Sequence, residues 1–560
     1  VDQWPHQFVN ALMYGHQFLL PIPDIDRTDY LLMIGANPVA SNGSLMTAPG
    51  IPRRIKDLTA RGKLVLIDPR RTETAELASE HHFIRPGSDG LFLVAFMQAL
   101  QRQGPARVTR YQGKVNGLDE AMQAICAVDT GGVLEATGIT PASIERLAAE
   151  FYSAKSAVAY GRMGVSVQRF GTLCQWLLQL ANLYTGNLDR EGGALVNEPA
   201  IAITGPGTSS GQRGRWKSRV RGLPEFAGEL PVAVLAEEMQ TPGDGQVRAL
   251  LTVAGNPVLS TPDGRNLDAA LDALDFMVSI DIYINETTRH ADLILPPASP
   301  LTQYHYDLIF NAFAVRRVAR LNLPFRERGD NERADWEIVN GLGAAYAEAS
   351  GKPWQALLPP KAMIAAGLAR GGSGLQLADL EAAPHGLDLG PLRPSLLGRL
   401  ETASGMIEAA PAVMLAELLS LQASLGIVDA EGALRLVGRR DARSNNSWMH
   451  NAPRLVKGKT RHQLLMHPDD LARRKIDSGA RVRIQSRIGT IETEVIASEQ
   501  MMPGAVCLPH GFGHGRDGTR LSRASQVAGA SYNDLSDPMA VDGACGNAAL
   551  NGLTVQVELA

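Results

Sequence analysis

The chain is poor in several residue classes, and each shortage excludes something. Its 560 residues hold four cysteines, Cys126, Cys174, Cys507 and Cys545, none near another. That spacing excludes zinc and iron–sulfur ligand runs and argues against a disulfide framework. No apolar run reaches the roughly 20 residues a helix needs to cross a bilayer, so no membrane span is expected. Positive charge is not in excess. Fifty-four Lys and Arg against 58 Asp and Glu give a formal net charge of −4, without the basic footprint of a nucleic-acid binder. Aromatics make up 5% of the chain, too few for a stacking platform. There is no Walker loop and no Gly-x-Ser-x-Gly elbow. The length suggests three or four domains of about 150 residues.

Glycine, by contrast, is abundant at 56 residues, and some of it sits in a repeat. Gly35-Ala36-Asn37-Pro38 follows the apolar run Tyr30–Ile34, and Gly255-Asn256-Pro257 follows Leu250–Ala254. Each is followed by a second apolar run ending in an aspartate, Leu64–Asp68 and Phe276–Asp281. Those runs continue into Pro69-Arg70-Arg71-Thr72-Glu73-Thr74 and Asn285-Glu286-Thr287-Thr288. A short third run then meets proline, at Phe83-Ile84-Arg85-Pro86 and Leu293-Ile294-Leu295-Pro296. One α/β unit with a ligand-facing strand end is used twice, which predicts two copies of one cofactor type or one cofactor with two similar halves.

The organisation follows. Residues 1–200 form a first α/β domain. Residues 201–350 form a long Gly-, Pro- and Arg-rich loop and the second α/β domain. Residues 351–430 form a connecting arm, and 431–560 a C-terminal β-barrel. A strand is expected at Ala157–Gly161, a buried helix at Thr172–Tyr184, and a helix opened by Thr140 as N-cap with Pro141 behind it. Alternation over Arg481–Gln485 and Thr490–Val495, with Ala505–Pro509 and Leu553–Val557, supplies barrel strands. His81-His82 reads as part of a helical pattern.

Several segments can carry chemistry. Glycine and asparagine at strand ends suit a nucleotide or pterin, where the backbone approaches phosphate and the amide both donates and accepts. Asp68 can accept two hydrogen bonds from a base edge or ribose, and Arg70 and Arg71 can hold pyrophosphate; a surface ion pair is the plainer alternative. Gly87-Ser88-Asp89 before a helix reads first as an N-cap and second as a ligand contact. Arg439–Asn451 is dense in donors and reads as an anion-binding loop. In His510-Gly511-Phe512-Gly513-His514 a flexible loop whose His510 touches a cofactor is favoured over a metal site. Arg213, Arg215, Arg219 and Arg221 either guide an anion inward or form a solvated loop.

In series, these segments resemble the molybdopterin oxidoreductase family, of the dimethyl sulfoxide reductase type that includes formate dehydrogenases and nitrate reductases. The pieces are Ile34–Pro38, Ile67–Thr72, Pro86–Asp89, Gly161–Val165, Leu183–Leu188, Gly255–Pro257, His290–Pro296 and Arg443–Asn446, in the family's order over nearly the whole chain. The resemblance implies an α/β fold of two related Rossmann-like parallel-sheet domains and a C-terminal double-psi β-barrel-type domain. It implies a bis(molybdopterin guanine dinucleotide) cofactor with molybdenum or tungsten. Gly35, Ala36, Asn37, Asp68, Pro69, Arg70, Gly87, Ser88, Asp89 and Met163 would line the first dinucleotide, and Asn256, Ile280, Asp281 and Asp335 the second. Arg440, Arg443, Ser444, Asn445, His510, Asn533 and Asn547 would close over both.

The family's amino-terminal [4Fe-4S] domain has no counterpart here, and a chain opening on Val1 suggests that this part is missing. Asp2 is the candidate metal ligand within the chain; its alternative is an N-cap for a helix through Gln7–Met13. The expected activity is two-electron redox on a small substrate, most nearly that of a formate dehydrogenase, with nitrate or another oxyanion second. A redox partner protein or subunit and a cytoplasmic location go with it. The rivals are a non-redox hydratase or hydroxyltransferase and a non-catalytic respiratory-complex subunit.

Overall fold

The computed structural model describes residues 2–43, 45–426 and 430–560; Val1, Ser44 and positions 427–429 of the expected arm lie outside it. The first sheet holds β1 (Tyr30–Ile34), β2 (Lys63–Ile67), β3 (Glu80–His82) and β4 (Ala157–Gly161), in the spatial order β3-β2-β1-β4, all parallel. Its aliphatic strands are enclosed on both faces, as all-parallel sheets require. Helices Trp4–Tyr14, Asp89–Gln103 and the fully buried Gly171–Tyr184 join them in one core. Thr140 caps helix Pro141–Ser153 as expected, accepting from the Ser143 backbone N–H.

The third strand is Glu80–His82 and not the apolar Phe83–Ile84, and His81 is extended, not helical. The reason is electrostatic. Glu80 pairs with Lys63 of β2 at 2.6 Å and with Arg146, so a polar tripeptide can form an edge strand. Ile84 is left free to turn inward.

The second sheet is β5 (Ala249–Val253), β6 (Phe276–Ile280) and β7 (Leu293–Ile294), again parallel, with Ala249 opposite Phe276 and Val278 opposite Leu293. Helices Leu235–Gln240 and Gly264–Asp272 cover one face through Met239, Leu267, Leu271 and Met277. On the other face Leu251, Val253, Phe276 and Leu293 are 43–50% exposed. No counterpart of β4 lies beside β5 among the described residues.

The C-terminal block closes into a six-stranded barrel, as expected. Its strands are β8 (Leu434–Arg439), β9 (Gln463–Met466), β10 (Arg481–Gln485), β11 (Thr490–Ala497), β12 (Ala505–Pro509) and β13 (Leu553–Leu559), in the order β8-β12-β9-β11-β10-β13. β8 runs parallel to β12 and β9 to β11, and the other neighbours are antiparallel. Alternate residues such as Val482, Ile484, Ile491 and Val495 fill the interior. Residues 351–426 are stitched into the α/β units: strand Leu387–Pro391 pairs with Arg316–Ala319, and Ile407–Glu408 with Val115–Asn116. Among the described residues no helix is long and apolar enough to cross a membrane.

Candidate functional site

Both repeats end their first strand in the same way. Gly35 follows β1 with φ 57° and donates to the Ile67 carbonyl at 2.9 Å; Ala254 follows β5 with φ 49° and donates to Ile280 at 2.9 Å. Asn37 and Asn256 then share one backbone conformation, with φ/ψ of −127°/70° and −122°/69°. The asparagines anchor matching networks. Asn37 Nδ2 donates to Glu73 at 2.7 Å, Asn37 Oδ1 accepts from Thr74 Oγ1 at 2.7 Å, and that hydroxyl accepts from the Val39 N–H at 3.2 Å. Asn256 does the same with Glu286 at 2.8 Å and Thr287 at 2.7 Å, and Val258 N–H completes the set at 3.1 Å. The repeat read from the sequence is thus a repeat of side-chain chemistry.

The strand ends of the first repeat border a cavity of about 360 Å³. Its floor is the first repeat, through Gly35, Ala36, Asn37, Asp68, Pro69 and Arg70. Leu259 and Ser260 enter from the second repeat, and Arg439, Arg440, Asn446, His510 and Gly511 from the barrel loops. The close fit depends on glycine at two places. A Cβ on Gly35 would meet the Gly164 Cα at 2.8 Å, and one on Gly511 the Asn446 carbonyl at 2.4 Å.

The cavity's charge is mixed. Burial raises Asp68 to about 7 against the pull of Arg70 and of the Arg70 backbone N–H, which donates to it at 2.9 Å. Burial likewise raises Asp89 to about 6, although Gln168 donates to it at 2.9 Å. Arg70, Arg162, Arg439 and Arg440 supply positive charge around the same space. His510, lowered to about 4 by desolvation and then by Arg440, is a neutral ring there, with Nε2 2.9 Å from Asn446 Oδ1.

The expected site residues divide into two groups. Gly35, Ala36, Asn37, Asp68, Pro69, Arg70, Gly87, Asp89, Met163, Arg440, His510 and Asn533 come together on the cavity wall. Ser88 stands beside it, its hydroxyl turned to the Arg85 carbonyl at 2.7 Å, so it makes no side-chain cap for the helix behind it. Asn256, Ile280, Asp281 and Asp335 lie away from this cavity. Asp281 accepts from the Ile282 and Tyr283 N–H groups, and Asp335 opens helix Asp335–Ser350. In the barrel loop Ser444 is buried, Arg443 is exposed, and Asn445 accepts from Arg440. Asn547 is buried behind the wall.

Arg439 and Asn446, from the expected anion-binding loop, also line the cavity, and so do Arg162, Tyr532 and Asn551, which were not singled out as contacts. Arg162 lies within the segment Gly161–Val165 and Tyr532 beside Asn533, so both had a local signal; Asn551 had none. Asp2 lines the cavity too. It pairs with Arg162 at 2.8 Å, while the first helix starts at Trp4 without a side-chain cap, which corrects the N-cap alternative. The arginine-rich stretch is engaged elsewhere. Arg215 pairs with Glu225, Arg219 with Glu238 and Arg221 with Glu237, Arg213 donates to the Ala544 carbonyl, and none of the four lines the cavity.

Comparison with known proteins agrees with this architecture. The chain is 25% identical over 348 residues to an assimilatory nitrate reductase catalytic subunit of Bacillus subtilis, covering 59% of this chain and 47% of that protein. It is 26% identical over 342 residues to an F420-dependent formate dehydrogenase 1 subunit alpha of Methanococcus maripaludis, covering 57% and 48%. The chain thus spans about half the length of these curated relatives. In fold it resembles acetylene hydratase from Pelobacter acetylenicus, with a TM-score of 0.78 at 16% identity over 100% of this chain and 82% of that one. The barrel, residues 434–553, matches the family model of the molydopterin dinucleotide binding domain. Residues 3–344, which hold both repeats, match the molybdopterin oxidoreductase model, and the chain belongs to the molybdopterin oxidoreductase family.

Proposed function

We propose that this chain binds a bis(molybdopterin guanine dinucleotide) with molybdenum or tungsten and oxidises or reduces a small anion, formate before nitrate. The observation that carries the reading is the duplicated Asn–Glu–Thr network at two sheet ends, the first bordering the cavity through Asn37 and the second followed by Leu259 and Ser260 on the same wall.

The donor set fits the group. Guanidiniums of Arg70, Arg439 and Arg440 match phosphate oxygens. Asp68 and Asp89, two sheltered carboxylates with raised pKa values, match a base edge rich in N–H donors. The residues from Gly35 to Met163 named above would hold the first dinucleotide. Asn256, Ile280, Asp281 and Asp335 would hold the second, and the barrel residues from Arg440 to Asn547 would close over both. When bound, the metal and its pterins supply the two-electron chemistry. The chain supplies position, charge neutralisation and exclusion of water. The free thiols of Cys126, Cys174, Cys507 and Cys545 support a cytoplasmic, reducing setting, and a redox partner belongs to the same reading.

The test is metal and pterin analysis of protein made in a host that synthesises the cofactor, followed by dye-coupled turnover. Molybdenum or tungsten with two pterins per chain is expected, together with formate-dependent dye reduction. Nitrate-dependent oxidation of reduced dye without a formate reaction would move the substrate to the oxyanions. Absence of both metal and pterin would overturn the cofactor assignment.

A further inference from the structure

The carboxylate of the second repeat opens a chain of bonds that the cofactor reading does not use. Glu286 Oε1 lies 3.0 Å from His514 Nδ1, and His514 Nε2 lies 2.7 Å from His450 Nδ1. The three side chains come from the second repeat, the loop after β12 and the turn after the Arg443–Ser447 loop. All are buried: Glu286 is 0% exposed, His514 1% and His450 2%. The far nitrogen, His450 Nε2, is enclosed and makes no hydrogen bond of ordinary geometry among the described residues, although the Gly511 backbone lies near enough to the ring to favour its charged form. A buried polar atom left unpaired is costly and uncommon.

The order of bonds sets the tautomers. Burial opposes the charge on Glu286, but the hydrogen bond from His514, the attraction of that ring when it is protonated, and the hydrogen bond from Asn256 outweigh burial and hold the carboxyl below its usual value. An ionised carboxylate only accepts, so His514 donates from Nδ1. Neutral His514 then accepts at Nε2, so His450 donates from Nδ1 and keeps its lone pair on Nε2. We propose that Glu286, His514 and His450 form a buried proton relay whose open end is His450 Nε2.

The step balances. A proton that bonds to His450 Nε2 releases the proton on Nδ1 to His514 Nε2. His514 becomes an imidazolium whose Nδ1–H stays on the Glu286 carboxylate; loss of the proton runs in reverse. Only N–H bonds change, and no electron moves. His450 itself holds charge poorly, being lowered to about 4 by burial and then by His514, so it passes a proton on and does not keep it. The other titratable groups near the pair are Asp441, itself bridged by Arg461, and His462 across the Phe512 ring. The relay lies three residues beyond Ser447 and three beyond Gly511, both on the cavity wall. Its use in turnover rests on the redox reading; its existence does not.

Nitrogen-15 NMR of histidine side chains in the 560-residue chain tests it, without substrate. At pH 8 His450 should show the Nδ1–H tautomer. On acidification His450 and His514 should shift together, with one apparent midpoint for the pair. Glu286→Gln keeps an acceptor but removes the charge, and should lower that midpoint by about 1–3 pH units. An Nε2–H tautomer on His450, separate midpoints for the two rings, or a midpoint unmoved in Glu286→Gln would each overturn the relay. The tautomer is read from the unsubstituted chain, so the test stands even where the variant does not fold.

Discussion

In the first repeat the network carboxylate, Glu73, has a side chain 56% exposed, and its cationic partner is Arg70 at 3.2 Å. In the second, Glu286 is fully enclosed, and its partner is His514 at 3.0 Å. The backbone turn, the asparagine and the threonine are otherwise the same. An arginine is charged at every accessible pH, whereas a buried histidine is charged only after taking up a proton. The first copy therefore gives the cavity a permanent cation, and the second holds a conditional one behind the wall. A duplicated scaffold can keep its geometry and change its electrostatics through the one residue facing the carboxylate.

The contrast can be broken most strongly at the carboxylates. Glu286→Ala strands buried His514 and Asn256 and should cost about 3–5 kcal/mol in denaturant unfolding. Glu73→Ala, at an exposed pair, should cost less than about 1 kcal/mol. Equal costs would mean that the two networks are energetically alike. Next come the equivalent strand positions Leu32 and Leu251, 0% and 49% exposed. Leu32→Ala should lose about 2–5 kcal/mol as its site is left hollow. Leu251→Ala should stay within about 0.5 kcal/mol, as surface changes do.

A third test concerns the turn. Gly35→Ala drives a Cβ against Gly164 at 2.8 Å and should cost about 1–3 kcal/mol, with weaker cofactor retention. The reverse change at the matching position, Ala254→Gly, should stay within about 1 kcal/mol.

The subtlest test is the pH slope. Asp68 stands above its usual 3.8, at about 7, so the folded chain binds extra protons between those values and loses stability as pH rises through them. His450, lowered from 6.5 to about 4, has the opposite sign: stability falls as pH drops through that window. Melting curves across pH 4–8 should lose the first slope in Asp68→Asn and the second in His450→Gln.

Features set by neighbouring residues were legible in the sequence. Strands Ala157–Gly161, Arg481–Gln485 and Ala505–Pro509 stand at their expected limits because apolar runs and alternation carry that information locally. The repeat was legible for the same reason. Glu80–His82 was not, because its strand depends on Lys63 and Arg146, far away in the chain. Nor was the pairing of Arg162 with Asp2, or of Asp89 with Gln168, each made across a fold not yet formed. His514 could be marked as part of a histidine-bearing loop, but its partners Glu286 and His450 were hidden by separations of 228 and 64 residues.

The uncovered face of the second sheet bears on how the protein behaves in the tube. Leu251, Val253, Phe276 and Leu293 form an apolar patch next to the edge of β5 that no strand among the described residues pairs with. Surfaces of this kind govern handling more than catalysis. The chain should adhere to phenyl resins, brighten an apolar dye while still folded, and salt out early in sulfate, which strengthens apolar association. Leu251→Lys should relieve all three and leave the cavity lined by Asn37 and His510 intact.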